Sequence, residues 1–188
     1  MLAADQFVKH LTVQNLTEGE RVPVIGEFLE LIYVRNPGAA FSLGKDHTWI
    51  FTIALAVVAS IIVWKAFGLR SRLWAAVLGL LLGGVLGNLT DRLLRAPGFP
   101  VGEVVDMISM PWMMPAIFNV ADIFIVCGMI TVALLVVLGL RFDGTRERDH
   151  ERAEAERAAE AERTAEAERA AEAERAEAPA PASPSTPE

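Results

Sequence analysis

Charged and carboxamide side chains occur at three points of the chain, each beside or between apolar segments. They are Asn88, Asp91 and Arg92 in GGVLGNLTDRL, Asp106 in VVDMIS, and Asn119 and Asp122 in FNVADIF. Residues three or four apart share one face of a helix, so the first and third groups each point in one direction. Polar and ionisable groups near membrane segments are costly, and their clustering therefore indicates a site.

The chemistry that two such carboxylates could perform is proton transfer. When two carboxylates lie close together, the like charge raises one pKa, so one group stays ionised as a base and the other is protonated as an acid. The base takes a proton from water, while the acid polarises a peptide carbonyl and protonates the leaving nitrogen. Asp106 and Asp122 are the candidates for this pair. The alternative is two solvated carboxylates at a membrane interface, where charge is only weakly penalised.

Other catalytic and binding classes fit the sequence poorly. No serine lies in a GxSxG motif, and His10, His47 and His150 lack the spacing of metal ligands. With Cys127 as its single cysteine, one chain can form neither a disulfide framework nor a CxxC metal site. Residues 141–188 carry most of the net charge of -7, and the pI of about 5.1 argues against binding to nucleic acid.

Three apolar segments approach the roughly 20 residues that a helix needs to span a bilayer. They are residues 48–67, 73–90 and 120–140. Basic side chains collect in the link between the first two segments and again after the third. These are Lys65, Arg70 and Arg72, then Arg141, Arg146 and Arg148. The positive-inside rule makes both stretches cytoplasmic, so the stretch 91–119 and everything before about residue 47 are expected outside.

The residues before the first span predict a small sheet. Residues 21–36, RVPVIGEFLELIYVRN, alternate partly between apolar and polar side chains and are rich in Val, Ile and Tyr, which favours short strands. NPGAAFSLG at 36–44 adds turn chemistry. Four residues precede Asp5, so no spanning helix is expected there, and the N-terminal stretch is interpreted as the remnant of a first membrane helix.

The end of the chain repeats AEAERA and then closes with APAPASPSTPE. Alanine, glutamate and arginine favour a helix, but the repeat offers no apolar face to bury. The sequence predicts a solvated helix followed by a disordered Pro-rich end. A partner-binding or spacing segment is the alternative.

Five short motifs follow one another in a fixed order along the body of the chain. They are DQFVK at 5–9, NPGAAFS at 36–42, GGVLGNLTDRL at 83–93, VVDMIS at 104–109 and FNVADIFI at 118–125. Together they resemble lipoprotein signal peptidase, also called signal peptidase II. The resemblance implies a bacterial membrane enzyme with four membrane helices, a small extracytoplasmic sheet, and a catalytic aspartate pair without metal or other cofactor. It also implies a prolipoprotein substrate, cleaved just before a lipobox cysteine that carries a diacylglyceryl group.

The same motifs imply individual roles. Asp106 and Asp122 match the catalytic aspartates. Positions that bind the substrate or order the site are matched by Asn36, Asn88, Asp91, Arg92 and Asn119, and positions that give structural support by Asp5 and Lys9. From the residues alone, Asn88 and Asn119 could instead be hydrogen-bonding contacts between membrane helices. Asp91 and Arg92 could equally be a charge pair at the end of a span.

The expected fold is an all-α membrane bundle with a small extracytoplasmic β-sheet and a helical and disordered C-terminal tail. Residues 1–47 would hold the remnant helix and the β region, 48–140 the transmembrane catalytic bundle with its outer loop 91–119, and 141–188 the cytoplasmic tail.

The expected function is that of an aspartic endopeptidase of the bacterial plasma (inner) membrane, a monomer whose partners are lipid-modified prolipoproteins and membrane lipids. Its active site would lie at the extracytoplasmic face. The alternative is a transporter or channel component that uses outer-face carboxylates as an ion relay, which would favour mid-membrane carboxylates and repeated halves.

Overall fold

The computed structural model describes residues 1–38 and 47–177, without the side chains of residue 150 and of residues 170–177. Most of the predicted turn at 36–44, and the predicted disordered end after residue 177, therefore lie outside the described residues. The chain forms two compact units, Met1–Gly144 and Thr145–Glu188.

The described residues of the first unit form four helices. They are α1 (Leu2–Asn15), α2 (Thr48–Ala66), α3 (Arg72–Leu94) and α4 (Val120–Val137). Helices α2, α3 and α4 are long and apolar enough to cross a membrane, which confirms the three predicted spans. Helix α1 has 14 residues.

Helix α3 is longer than the sequence suggested. The Ser71 hydroxyl accepts a hydrogen bond from the Trp74 amide and caps its start. At the other end the helix continues past the apolar run to Leu94, so Asp91 and Arg92 lie in its last turn and not in the outer loop that was expected to begin at residue 91. Hydropathy detects only the apolar part of a helix, and TDRLL can extend it without being apolar.

The strands found in the described part of this unit form one antiparallel sheet of four. They are β1 (Arg21–Ile25), β2 (Leu29–Asn36), β3 (Val104–Met110) and β4 (Met114–Phe118), and they lie in the sheet in that order. The first two strands were predicted, whereas β3 and β4 were expected to be loop. Asn36 pairs with Val104 across β2 and β3. Asp106 is two residues further along β3, so Asn36 and Asp106 share one face as diagonal neighbours.

Glycines allow the helices of the bundle to approach closely. A Cβ atom at Gly84 would lie 2.6 Å from the carbonyl oxygen of Ala121 in α4. A Cβ atom at Gly87 would lie 2.6 Å from the Asp5 carboxylate in α1. Helix α3 is therefore the central element, in direct contact with both neighbours where their polar residues lie.

The second unit contains helix α5 (Glu147–Glu177), which confirms the helical part of the predicted tail. Arg152 and Glu156 form an ion pair of 3.0 Å between largely exposed side chains, which adds little stability. Its described side chains are almost all exposed, so this helix depends on its own alanine-rich composition.

We expect Gly84→Ala to lower the thermal denaturation midpoint of the detergent-solubilised protein. The added methyl group meets backbone of α4, and such overpacking costs about 1 to 3 kcal/mol. Gly79→Ala is the matched control, because a Cβ atom there meets nothing within 4 Å. Equal midpoints for the two variants would show that the α3–α4 contact tolerates a larger separation.

Candidate active site

The N-terminus of α4 holds one of the two candidate aspartates in a capping box. The Asn119 side-chain oxygen accepts a hydrogen bond of 3.1 Å from the Asp122 amide. In return the Asp122 carboxylate accepts one of 3.0 Å from the Asn119 amide. The spacing in FNVAD therefore forms a helix start and fixes the Asp122 side chain in the same step.

Asp106 reaches the same place from the sheet. Its carboxylate accepts hydrogen bonds from the side-chain amides of Asn119 at 2.6 Å and Asn36 at 2.9 Å. The residue is 3% exposed. Burial, followed by the nearby charge of Asp122, raises the pKa of Asp106 to about 7, although the two amide donors oppose the shift. Asp106 is thus a carboxyl group that can hold a proton near neutral pH.

Asn88 connects the two aspartates from α3. Its side-chain nitrogen donates to the Asp122 carboxylate at 2.8 Å. Its side-chain oxygen accepts from the Asn119 side-chain amide at 3.1 Å. Because Asn119 also donates to Asp106, a continuous series of hydrogen bonds joins the two carboxylates.

A buried ionic cluster lies behind this series. The Lys9 ammonium is 2.9 Å from the Asp5 carboxylate and 2.8 Å from that of Asp91, and all three side chains are fully buried. Asp5 also accepts the Ala121 amide of α4 at 2.9 Å, and Asp91 accepts the Val105 amide of β3 at 3.2 Å. The cluster therefore connects α1 and α3 to both elements that carry the candidate pair.

Asp91 and Arg92 contact different parts of the structure. Asp91 faces Lys9, and it also accepts a 2.6 Å hydrogen bond from Arg95. Arg92, with 3% exposure, donates to the carbonyl oxygens of Pro37, Gly38 and Gly102. It thereby holds the segment after β2 against the segment that leads into β3.

The candidate pair opens into a cavity of about 650 Å³. Its polar end is formed by Asn36, Asn88, Arg92, Asp106, Asn119 and Asp122. Apolar side chains of α2, α4 and β4, among them Phe51, Val126 and Ile117, line most of the rest. Within the described ranges, no group of three or more His, Cys, Asp or Glu residues is arranged to hold a metal ion. The arrangement can present water to an extended, largely apolar ligand beside two carboxyl groups.

Residues 1–138 match the sequence model of a family described as Signal peptidase (SPase) II. The chain belongs to the signal peptidase II family. It is 51% identical over 145 residues to a lipoprotein signal peptidase of Leifsonia xyli subsp. xyli, covering 77% of this chain and 67% of the relative. It is 48% identical over 147 residues to one of Rhodococcus jostii, covering 78% and 73%.

Two solved structures, each of a bacterial membrane enzyme, share the fold of this signal peptidase II. The first has a TM-score of 0.65 at 27% identity and covers 72% of this chain and 82% of its own. The second has a TM-score of 0.59 at 28% identity and covers 72% and 86%. These similarities confirm the predicted family and fold class. They also confirm that the chain is a protease and a membrane protein. Nothing favours the alternative of an ion relay.

The structure gathers every residue that the motifs singled out into one region, with Asp5, Lys9 and Asp91 behind the cavity and the others along it. Sequence reasoning missed Gln6, whose side-chain nitrogen donates to Asp5, to Asp91 and to the Gly87 carbonyl, each at 3.1 Å. Its signal was its place inside DQFVK. Arg95 was also missed, although it lies four residues after Asp91 on the same helical face.

Proposed function

We propose that this signal peptidase II is an aspartic endopeptidase, with Asp106 and Asp122 as its catalytic pair. The observation that carries the proposal is their joint geometry: one buried and one half-buried carboxyl group, linked through the amides of Asn88 and Asn119, at the polar end of one cavity. Like-charged carboxylates in a site of low polarity favour sharing one proton. That state supplies the base and the acid that hydrolysis of a peptide bond requires.

Within the pair, we assign Asp122 as the base and Asp106 as the acid. Asp122 lies in the first turn of α4, where the helix dipole favours a negative charge. The raised pKa of Asp106, about 7, favours its protonated form. Asp122 takes a proton from water as the water oxygen attacks the peptide carbonyl, while the Asp106 proton polarises that carbonyl. The leaving nitrogen then receives the Asp106 proton and the C–N bond breaks, and the proton that Asp122 took from water leaves the pair singly protonated again.

The proposed substrate is a lipid-modified prolipoprotein, whose signal peptide is removed by cleavage just before the lipidated cysteine. The names of the related lipoprotein signal peptidases support this class of substrate. The cavity supports it too, because α2 and α4 offer apolar walls to a signal peptide and to acyl chains. Asn36, Asn88 and Asn119 lie at its polar end, within reach of a substrate backbone, and Arg92 acts by ordering the cavity wall.

We further propose that the site faces the outside of the cell and that the enzyme acts as a monomer among membrane lipids. Charge bias supports this orientation, because the α2–α3 link and the stretch after α4 are basic. In this proposal residues 1–47 and 48–140 together form the catalytic part, and residues 141–188 are a cytoplasmic tail.

We expect Asp106→Asn and Asp122→Asn each to reduce cleavage of a lipid-modified precursor by about a thousandfold or more, because each removes one of the two proton-transfer groups. The assay follows the precursor's shift in mass with purified enzyme in detergent. Asp149→Asn is the matched control, since Asp149 lies in the exposed helix α5. Substantial turnover by either of the first two variants would exclude the paired mechanism.

The pH dependence of kcat/KM should report the proton on Asp106. A raised carboxyl pKa means that the proton is held below about pH 7 and lost above it, so kcat/KM should decline as pH rises through that value. Asn36→Ala removes a donor that favours the ionised form, and it should move this decline to higher pH. A rate that stays constant to pH 9 would show that Asp106 is not the acid.

Cysteine labelling can determine the orientation, because Cys127 is the chain's single cysteine. In a Cys127→Ala background, a membrane-impermeant maleimide should label Glu27→Cys, in the exposed β1–β2 turn, from outside intact cells. Arg148→Cys, in α5, should be labelled only after permeabilisation. The reverse pattern would place the cavity on the cytoplasmic side.

A further inference from the structure

Three side-chain amides donate hydrogen bonds to the two carboxyl groups. Asn36 and Asn119 donate to Asp106, and Asn88 donates to Asp122. A carboxamide has a donating and an accepting end, and a rotation by about 180° exchanges them. Whether the pair meets donors or acceptors therefore depends on what holds the other end of each amide.

In each amide, a group that can only donate contacts the oxygen end. The Gly38 amide donates to Asn36 at 3.0 Å, and the Asp122 amide donates to Asn119 at 3.1 Å. The Lys9 ammonium donates to the Asn88 oxygen at 3.0 Å, and the Asn119 side-chain nitrogen donates to the same oxygen at 3.1 Å. Rotating any of these amides would set donor against donor, so the chemistry of the partners assigns the orientation. Two of the partners belong to the backbone, while Lys9 is a side chain and can be replaced.

We propose that Lys9 is a positioning residue for catalysis: its ammonium holds the Asn88 amide with the nitrogen end toward Asp122 and so keeps a hydrogen-bond donor on the carboxylate that acts as the base. This role rests on the proposed function. It is distinct from structural support, because it acts on the direction of one hydrogen bond inside the active site.

The surroundings of Lys9 leave its ammonium no other arrangement. An ammonium has three hydrogens, and the Lys9 nitrogen has three acceptors, which are Asp5 at 2.9 Å, Asp91 at 2.8 Å and Asn88 at 3.0 Å. The side chain is fully buried, so water does not compete for these bonds. Two of the three bonds anchor the cation, and the third reaches the active site.

Without Lys9, the Asn88 oxygen keeps one of its two donors, the Asn119 amide, and a rotation that turns this oxygen toward Asp122 becomes less costly. A carboxylate cannot donate to that oxygen, whereas a protonated carboxyl group can. The rotated amide therefore favours the form of Asp122 that cannot act as the base, and the loss of the positive charge acts in the same direction. The consequence appears on the acid side of the pH–rate profile, where the base becomes protonated.

Other charged groups surround Asp122 and bear on this prediction. The groups on the elements packed around it are Asp5 and Lys9 of α1, Asp91 and Arg92 of α3, and Asp106 of β3. Helix α2 contributes Lys65 in its last turn, at the opposite end from Phe51 in the cavity wall. Removal of Lys9 has two separable effects on Asp122. It takes away a nearby positive charge, and it releases the Asn88 amide.

A double-mutant cycle on the acid limb of kcat/KM separates the two effects. We expect Lys9→Met to move the midpoint of this limb to higher pH by about one unit. In an Asn88→Ala background the same substitution should move it by less than half as much, because no amide remains to be released. Lys9→Arg, which keeps the charge and the donors, should restore most of the native profile. Lys65→Met is the matched control on an exposed lysine and should leave the limb in place.

The outcomes that overturn the proposal are distinct. An equal shift in both backgrounds would mean that Lys9 acts through its charge alone, and an unshifted limb in folded Lys9→Met would mean that it does not act on the pair. If Lys9→Met does not fold, Asp5→Asn/Lys9→Met removes the unpaired negative charge. The double variant should still show the shift, and a native limb in it would overturn the proposal.

A second measurement requires no turnover. It follows the infrared C=O absorption of protonated carboxyl groups in the purified protein, and the band of Asp122 is assigned by its loss in Asp122→Asn. This band should titrate at higher pH in Lys9→Met than in Lys65→Met. Equal titrations in the two variants would overturn the proposal. If the native protein fails to cleave a lipid-modified precursor at every pH, the proposed function fails. The infrared titration then still tests the effect of Lys9 on the pair.

Discussion

The burial of charge is the constraint on which this structure depends. Asp5, Lys9, Asp91 and Asp106 are at most 3% exposed, in a chain whose helices are long and apolar enough to cross a membrane. An isolated charge in such surroundings is costly, so each one needs partners within the protein. Removing one partner from a buried ion pair costs about 3 to 5 kcal/mol, which makes the arrangement cooperative. The polar residues therefore determine how closely the helices and the sheet must approach.

Several features of the fold follow from satisfying these groups. Helix α3 approaches α1 and α4 closely at its glycines, which leave room for the Asp5 carboxylate of α1 and for the backbone of Ala121 in α4. The Asp5 carboxylate reaches the start of α4, and the Asp91 carboxylate reaches β3. Helix α1 is thus held against α4, far from it in the sequence, and α3 is held against β3. The same contacts therefore determine both the geometry of the proposed active site and the stability of the bundle.

The sequence predicted those features that are local in the chain. Apolar length identified residues 48–67 as a span close to the observed Thr48–Ala66, and alternation identified the first hairpin. Strand β3 was missed, because it pairs with β2 across about 70 intervening residues and no local pattern reports such a partner. Strand β4, which pairs with β3 in a short hairpin, was missed with it although that hairpin is local. The last turn of α3 was missed because it is polar. Site residues were recognised by their motifs, whereas Gln6 and Arg95 became visible only through the contacts they make.

The direction of a hydrogen bond is a further property that the sequence does not state. Asn36, Asn88 and Asn119 are chemically identical, and each could present an oxygen or a nitrogen to a carboxyl group. The choice depends on the atom at the far end of the amide, which comes from a turn, a helix start or another helix. The proposed aspartate pair needs one ionised and one protonated carboxyl group, so the hydrogen-bond donors around it must favour the ionised form of one group without ionising both. Burial and mutual repulsion oppose ionisation here, and the oriented amides favour it. A pKa of about 7 for Asp106 is the result of that opposition, and it places the proton where neutral-pH chemistry can use it.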